Sequence, residues 1–358
     1  MRKKTREVKI GNLKIGGFNP IRVQSMTKTE TSNIEETVNQ VRTLFISGCE
    51  IIRIAVRDEK AANSLKQIRK ELKNIPLVAD IHFNADYAVK AIESGFDKIR
   101  INPGNLRDKK GLERIVYASK ANGTAIRIGV NSGSIEKELA RKYGGSTPKA
   151  MSESALKFIH IIEAMGFGNL VVSLKSSDVI TTIEANRLFS KNSDVPLHLG
   201  ITEAGPPEYG IVKSAVGIGS LLLEGIGDTI RVSLSGDPTL EVKAGYDILK
   251  ATGRRMISPE IISCPTCGRI EIDLIPIIKE MEEFIKNINV PMRIAIMGCP
   301  VNGPGEAKEA DVALAGGKGV GFIYRKGKLI KRVEANKMVE ALKEEVLKLA
   351  KEQDKRKE

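Results

Sequence analysis

Three of the four cysteines in this 358-residue chain fall in its last third. Cys264-Pro265-Thr266-Cys267 is followed by Met297-Gly298-Cys299-Pro300-Val301-Asn302-Gly303-Pro304-Gly305-Glu306. A Cys-x-x-Cys pair brings two sulfurs to one centre from a single loop, and Cys299 adds a third. A closed zinc site wants four ligands, but no fourth cysteine is near and His82, His160 and His198 lie far upstream. An iron–sulfur cluster held by three thiolates keeps one iron for an oxygen ligand or a substrate. Glu306, at the end of the Pro/Gly loop, could return a carboxylate to that iron; alternatively it only caps or salt-bridges the segment 306–310. The spacing points to redox chemistry on a bound molecule.

Those loops need elements to carry them. Between residues 21 and about 250, short β-rich runs alternate with amphipathic helical stretches. Strands are predicted over 21–25, 51–56, 77–81, 98–101, 125–130, 170–174, 196–199 and 229–232. A helix over 34–46 has Ser32 or Asn33 as N-cap and Gly48 just past its end, and another over 208–223 starts after Pro206-Pro207. Eight strands each followed by a helix predict an α/β fold, a (β/α)8 TIM-type barrel. An open doubly wound sheet is the alternative, but Gly-x-Gly-x-x-Gly is missing after the early strands. The rhythm breaks around residues 252–260, which predicts a barrel domain over 1–253 and a smaller α+β domain over 254–358. The second domain reads as strands near 261–263 and 293–297 around a helix over 272–286. Strands around 312–315, 320–324 and 328–333 and a Lys/Glu-rich helix over 334–351 follow. Gly316-Gly317-Lys318-Gly319 reads as a turn, and Cys49 as a buried small apolar residue.

In such barrels the chemistry collects where strands end and βα loops begin. Those ends carry Gln24-Ser25-Met26, Arg57-Asp58, Asp80-Ile81-His82, Arg100-Ile101-Asn102, Arg127 to Asn131, Ser173-Leu174-Lys175, Thr202-Glu203 and Arg231-Val232-Ser233. Five are cations: Arg57, Arg100, Arg127, Lys175 and Arg231. Like charges at one mouth repel unless something anionic sits among them. Arginine forks match phosphate oxygens and lysine adds a point charge, so a ligand with two phosphates would neutralise the ring. The turn Asn131-Ser132-Gly133-Ser134 could add N–H donors at a helix N-terminus.

The net charge of +13 agrees with an anionic partner. Scattered lysines, 4% aromatics and no tryptophan leave no stacking platform for single-stranded nucleic acid. No apolar run is long enough to span a membrane, and the N-terminus shows no signal-peptide core. The expectation is a cytoplasmic protein acting on a small polyanion, with no nucleic-acid or membrane partner.

The motif Cys264-x-x-Cys267 with Met297-Gly298-Cys299-x-Val301-Asn302-Gly303-Pro304-Gly305-Glu306 resembles the 4-hydroxy-3-methylbut-2-enyl diphosphate synthase family of the methylerythritol phosphate route to isoprenoids. The similarity continues through Gln24-Ser25-Met26, Ala79-Asp80-Ile81-His82-Phe83, Arg100 to Asn105, Arg127 to Asn131 and Leu199 to Gly205, and covers essentially the whole chain. It implies a 4Fe-4S cluster held by Cys264, Cys267, Cys299 and Glu306. It implies that 2-C-methyl-D-erythritol 2,4-cyclodiphosphate is gripped by Arg57, Arg100, Arg127, Lys175 and Arg231, with Asn131 and Ser233 as hydrogen-bonding partners. The implied oxidoreductase reaction opens the cyclic diphosphate and removes a hydroxyl with two electrons, which ferredoxin or flavodoxin delivers one at a time. Glu203 is assigned the proton. The family is described as a homodimer in which one subunit's cluster domain covers the other's barrel.

Two other readings compete. A structural zinc protein would be colourless and bind nucleic acid in a salt-sensitive way. A pterin-binding type of barrel doing group transfer would leave the cysteine loop unexplained. The Cys-x-x-x-Cys-x-x-Cys spacing of radical S-adenosylmethionine enzymes is absent.

Overall fold

The computed structural model of the chain describes residues 1–105, 108–299, 301 and 303–354. Pro300 and Asn302 of the cysteine loop and the tail 355–358 lie outside the described residues. The chain divides into two compact units, Met1–Arg255 and Met256–Glu358.

A short antiparallel hairpin, β1 (Val8–Ile10) with β2 (Leu13–Ile15), opens the first unit. Eight parallel strands follow: β3 (Arg22–Met26), β4 (Ile51–Val56), β5 (Leu77–Ile81), β6 (Lys98–Ile101), β7 (Ala125–Asn131), β8 (Leu170–Lys175), β9 (His198–Leu199) and β10 (Thr229–Ile230). β10 pairs with β3, and a single parallel bridge from Val172 to Leu197 joins β8 to β9, so the ring is nearly closed. This is the expected (β/α)8 barrel. Helices pack around it because their apolar faces match the outward side chains of the strands. On the helix Ile34–Ile46, Val38, Val41 and Leu44 are buried, and Asn33 caps its start by accepting from the Glu36 N–H.

The hairpin precedes the first strand expected from the sequence. Its Val8, Ile10 and Ile15 pack with Ile51, Val78, Ala125 and Val171, which lie toward the strands' N-terminal ends. The barrel is thereby plugged at that end. Cys49 is buried as expected, its sulfur 3.1 Å from the Ser25 backbone N–H.

The second unit is a five-stranded sheet in the order β11 (Glu260–Ser263), β12 (Arg293–Met297), β13 (Val312–Gly317), β14 (Val320–Arg325), β15 (Lys328–Glu334). The first three strands are parallel and the last two antiparallel. Alternation along β12 and β13 sends Ile294, Ile296, Val312 and Leu314 to one face, under the helices Leu274–Ile285 and Met338–Asp354. The opposite face offers Ala295 and Ala313, small enough for Ala307 of the short helix Gly303–Glu309 to pack closely beside Met297. Gly316 and Gly317, expected in a turn, lie in β13; the turn itself is at Lys318-Gly319.

Candidate active site

Register decides which side chains meet inside the barrel. Asp80 on β5 lies opposite Arg100 on β6, which lies opposite Arg127 on β7. Asn131 and Lys175 are likewise paired between β7 and β8. Side chains in register on parallel strands point to the same face, and here that face is the interior. The result is a cavity of about 210 Å³ whose lining includes Arg53, Arg100, Arg127, Lys175 and Arg231. Among the described residues Asp80 is the one carboxylate in the lining, beside His82, Asn131, Ser173, Thr202 and Ser233.

Two glycines make the room. A Cβ on Gly129 would stand 2.3 Å from Arg100 Nε, and one on Gly200 would stand 2.5 Å from Lys175 Nζ. Asp80 holds two of the arginines, with Arg100 Nη1 3.4 Å from Oδ1 and Arg53 Nε 3.8 Å from Oδ2. Glu241, fully buried on the helix Pro238–Ala251, holds Arg231 Nε at 3.2 Å and accepts from Ser25 Oγ at 2.8 Å. The sulfur of Met26 faces Arg53 Nη2 at 2.9 Å.

The remaining cations are undercompensated. Arg127 is 1% exposed, and among the described residues its Nε and Nη1 find no hydrogen-bond partner, nor do Arg100 Nε and Gln24 Nε2. Burial, then Arg53 and Arg100, pushes the Arg127 guanidinium well below its usual range, and burial with the neighbouring arginines does the same to Lys175. Arg53 is brought down to about 10, chiefly by burial. Burial would raise the Asp80 carboxyl, but Arg53, Arg100, Arg127 and His82 outweigh it and hold it at about 2. Buried cations with unpaired N–H groups are costly, so this cavity is built for an anion.

The structure brings together Arg100, Arg127, Asn131, Lys175, Arg231 and Ser233 of the expected residues, but not Arg57 or Glu203. Arg57 is 68% exposed and pairs with Glu30 at 2.7 Å and Asp58 at 3.1 Å. It follows the end of β4, where alternation no longer directs a side chain inward; Arg53, within the strand, takes the place expected of Arg57. A lone cation inside the apolar run Ile51-Ile52-Arg53-Ile54-Ala55-Val56 was the available signal. Glu203 is exposed on the loop after β9 and does not line the cavity. Its φ of 51° is a left-handed conformation that a residue with a Cβ rarely adopts. Ser132–Ser134 forms a short 3-10 turn rather than a longer helix start, and Asn102 Nδ2 donates to Ser134 Oγ at 2.6 Å.

In the second unit, adjacent parallel strands deliver the cysteines. Cys264 follows β11 and Cys299 follows β12 by two residues, and the Gly298 N–H donates to Cys264 Sγ at 3.3 Å. Cys267 is exposed, and the backbone N–H and guanidinium of Arg269 hold its thiol below the usual range. The same guanidinium feels Cys299. Glu306 is exposed in the first turn of the helix Gly303–Glu309. Among the described residues no three His, Cys, Asp or Glu side chains converge tightly enough for a single metal ion. The donor set nevertheless suits a polynuclear iron–sulfur group, which spreads its thiolates over several irons.

The fold and its two sites define a (β/α)8 barrel with an anion-binding mouth, joined to an α+β unit that carries three cysteines on two neighbouring loops. Residues 5–246 match the GcpE TIM-barrel domain and residues 260–348 the GcpE protein C-terminal domain. The chain belongs to the GcpE family. It is 56% identical over 353 residues to the 4-hydroxy-3-methylbut-2-en-1-yl diphosphate synthase (flavodoxin) of Caldanaerobacter subterraneus subsp. tengcongensis, covering 99% of each chain. The protein of the same name from Clostridium perfringens is 54% identical, covering 95% of this chain and 97% of its own. Among solved structures, the dihydropteroate synthase of Yersinia pestis superposes with a TM-score of 0.52, covering 70% of this chain and all of that one. At 13% identity that likeness concerns the barrel fold alone.

Proposed function

We propose that this chain reduces 2-C-methyl-D-erythritol 2,4-cyclodiphosphate to (E)-4-hydroxy-3-methylbut-2-enyl diphosphate. Two electrons and two protons enter, the C–O bond closing the ring breaks, and one hydroxyl leaves as water. The ring of buried, undercompensated cations around the cavity is the observation that carries this reading, because a diphosphate supplies the charge they lack. Arg53, Arg100, Arg127, Lys175 and Arg231 grip the diphosphate and stabilise the charge it gains as the ring opens. Asn131 and Ser233 orient it. Glu203, exposed on the strained loop after β9 and outside the cavity lining, is the proposed donor of the proton to the departing hydroxyl.

Cys264, Cys267, Cys299 and Glu306 are the residues that would hold a 4Fe-4S cluster. When bound, that cluster supplies the reducing electrons and an iron with an exchangeable oxygen site. A flavodoxin is the donor, in keeping with the names of the relatives, and ferredoxin is the alternative. The protein works in the cytoplasm, where its thiols stay reduced. It is a homodimer; an exposed apolar stripe of Tyr209, Val212, Val216 and Leu223 on the helix Pro207–Leu223 supports a second copy as the partner.

Anaerobic purification tests the reading. A brown, oxygen-sensitive protein with iron and sulfide, turning over the cyclic diphosphate with reduced flavodoxin, is expected. Cys299→Ser should lose the colour, and Glu306→Ala should keep it while losing turnover. A colourless protein with stoichiometric zinc would overturn the proposal.

A further inference from the structure

Lys175 differs from its neighbours in how it is held. Arg53 and Arg100 lean on Asp80, and Arg231 on Glu241. Among the described residues Lys175 forms no ion pair with a carboxylate, and the charges that act on it most are the cations Arg127, Arg53, Arg231 and Arg100. Its Nζ instead lies 3.3 Å from His198 Nε2, and His198 Nδ1 lies 2.8 Å from Thr229 Oγ1. His198 and Thr229 are fully buried and sit in register on β9 and β10.

Donor and acceptor chemistry fixes the direction of this chain. Beside an anionic ligand, whose charge offsets the surrounding arginines, Lys175 is an ammonium and can only donate, so Nε2 must then offer a lone pair and the proton must reside on Nδ1, donating to the Thr229 hydroxyl. The ring is therefore neutral. Burial, then Lys175, Arg127, Lys98 and Arg53, all disfavour an imidazolium there. A neutral acceptor can orient a cation without cancelling its charge; a carboxylate at the same place would do both.

We propose that His198, its tautomer set by Thr229, is the positioning residue for Lys175, aiming the ammonium at an anionic ligand with its charge undiminished. The proposal rests on the reading of the cavity as a diphosphate site. Gly200 serves the same end by leaving space for Nζ.

The test is calorimetric binding of the cyclic diphosphate to the anaerobic full-length protein, a readout independent of turnover. His198→Leu, which removes the acceptor, should weaken Kd about tenfold, the scale of one charge-assisted hydrogen bond. His198→Gln, which can present an oxygen, should restore binding to within about threefold of wild type. Adding His198→Leu to Lys175→Met should cost nothing further, because nothing remains to be positioned. Wild-type affinity in folded His198→Leu, or an equal loss in the Lys175→Met background, overturns the positioning role. With three histidines in the chain, ¹⁵N-histidine spectra give a second check that needs no variant. With the cyclic diphosphate or pyrophosphate bound at neutral pH, a ring protonated on Nδ1 alone is expected, and an imidazolium or an Nε2-protonated ring overturns the proposal. Failure of the wild type to bind the cyclic diphosphate while binding inorganic pyrophosphate overturns the substrate reading, and pyrophosphate then reads the same variants.

Discussion

Arg127 is nearly inaccessible, carries two unpartnered N–H groups and stands among other cations. Its burial serves the ligand at the expense of the empty protein. Arg127→Met should therefore weaken binding of the cyclic diphosphate by about a hundredfold or more. The melting temperature of the ligand-free protein should stay level or rise by a few degrees, and calorimetry with and without substrate reads both. Arg53 and Arg57 make a paired test: Arg53→Ala should weaken binding at least tenfold, whereas Arg57→Ala, which loses only exposed ion pairs, should stay within about threefold. Asp80 links the site to pH. Its carboxyl is held at about 2, below the unfolded value near 3.9. Its ionisation therefore adds about 2–3 kcal/mol above pH ~4, and that contribution is lost as pH falls through ~2. Asp80→Asn should lower unfolding free energy by about this amount at neutral pH, and denaturant titrations should show the difference vanishing toward pH ~2.

Strands and hairpin act as a frame with one open end. Successive strands place Asp80, Arg100 and Arg127 in one row through register, and β7 and β8 add Asn131 and Lys175. The β1–β2 hairpin contributes no group to the cavity lining but fills the other end of the barrel with Ile10 and Ile15, both fully buried. Ile10→Ala should cost about 2–4 kcal/mol by the cavity it leaves, measured by chemical denaturation, while substrate affinity of the folded fraction stays unchanged. Most of these elements were legible in the chain. The strands over 51–56, 77–81 and 98–101 and the helix over 34–46 have the expected limits, because alternation and capping are local signals. The hairpin's role was not legible, since three-residue strands carry too little pattern to show what they cover.

At the scale of the molecule, the barrel unit holds the cation-lined cavity and the α+β unit holds the three cysteines. The stripe of Tyr209, Val212, Val216 and Leu223 follows helical spacing along one exposed face. Val216→Glu should shift the protein from dimer toward monomer in sedimentation velocity. The sequence by itself determined the (β/α)8 class, the two-part organisation, the three cysteines and most of the cations, because residue type, spacing and periodicity are written along the chain. Only the tertiary structure decided that Arg53 and not Arg57 faces the cavity, that Glu241 tethers Arg231, and that His198 and Thr229 stand behind Lys175. Those outcomes depend on register and barrel closure, which bring residues distant in sequence to one face and which no local pattern encodes.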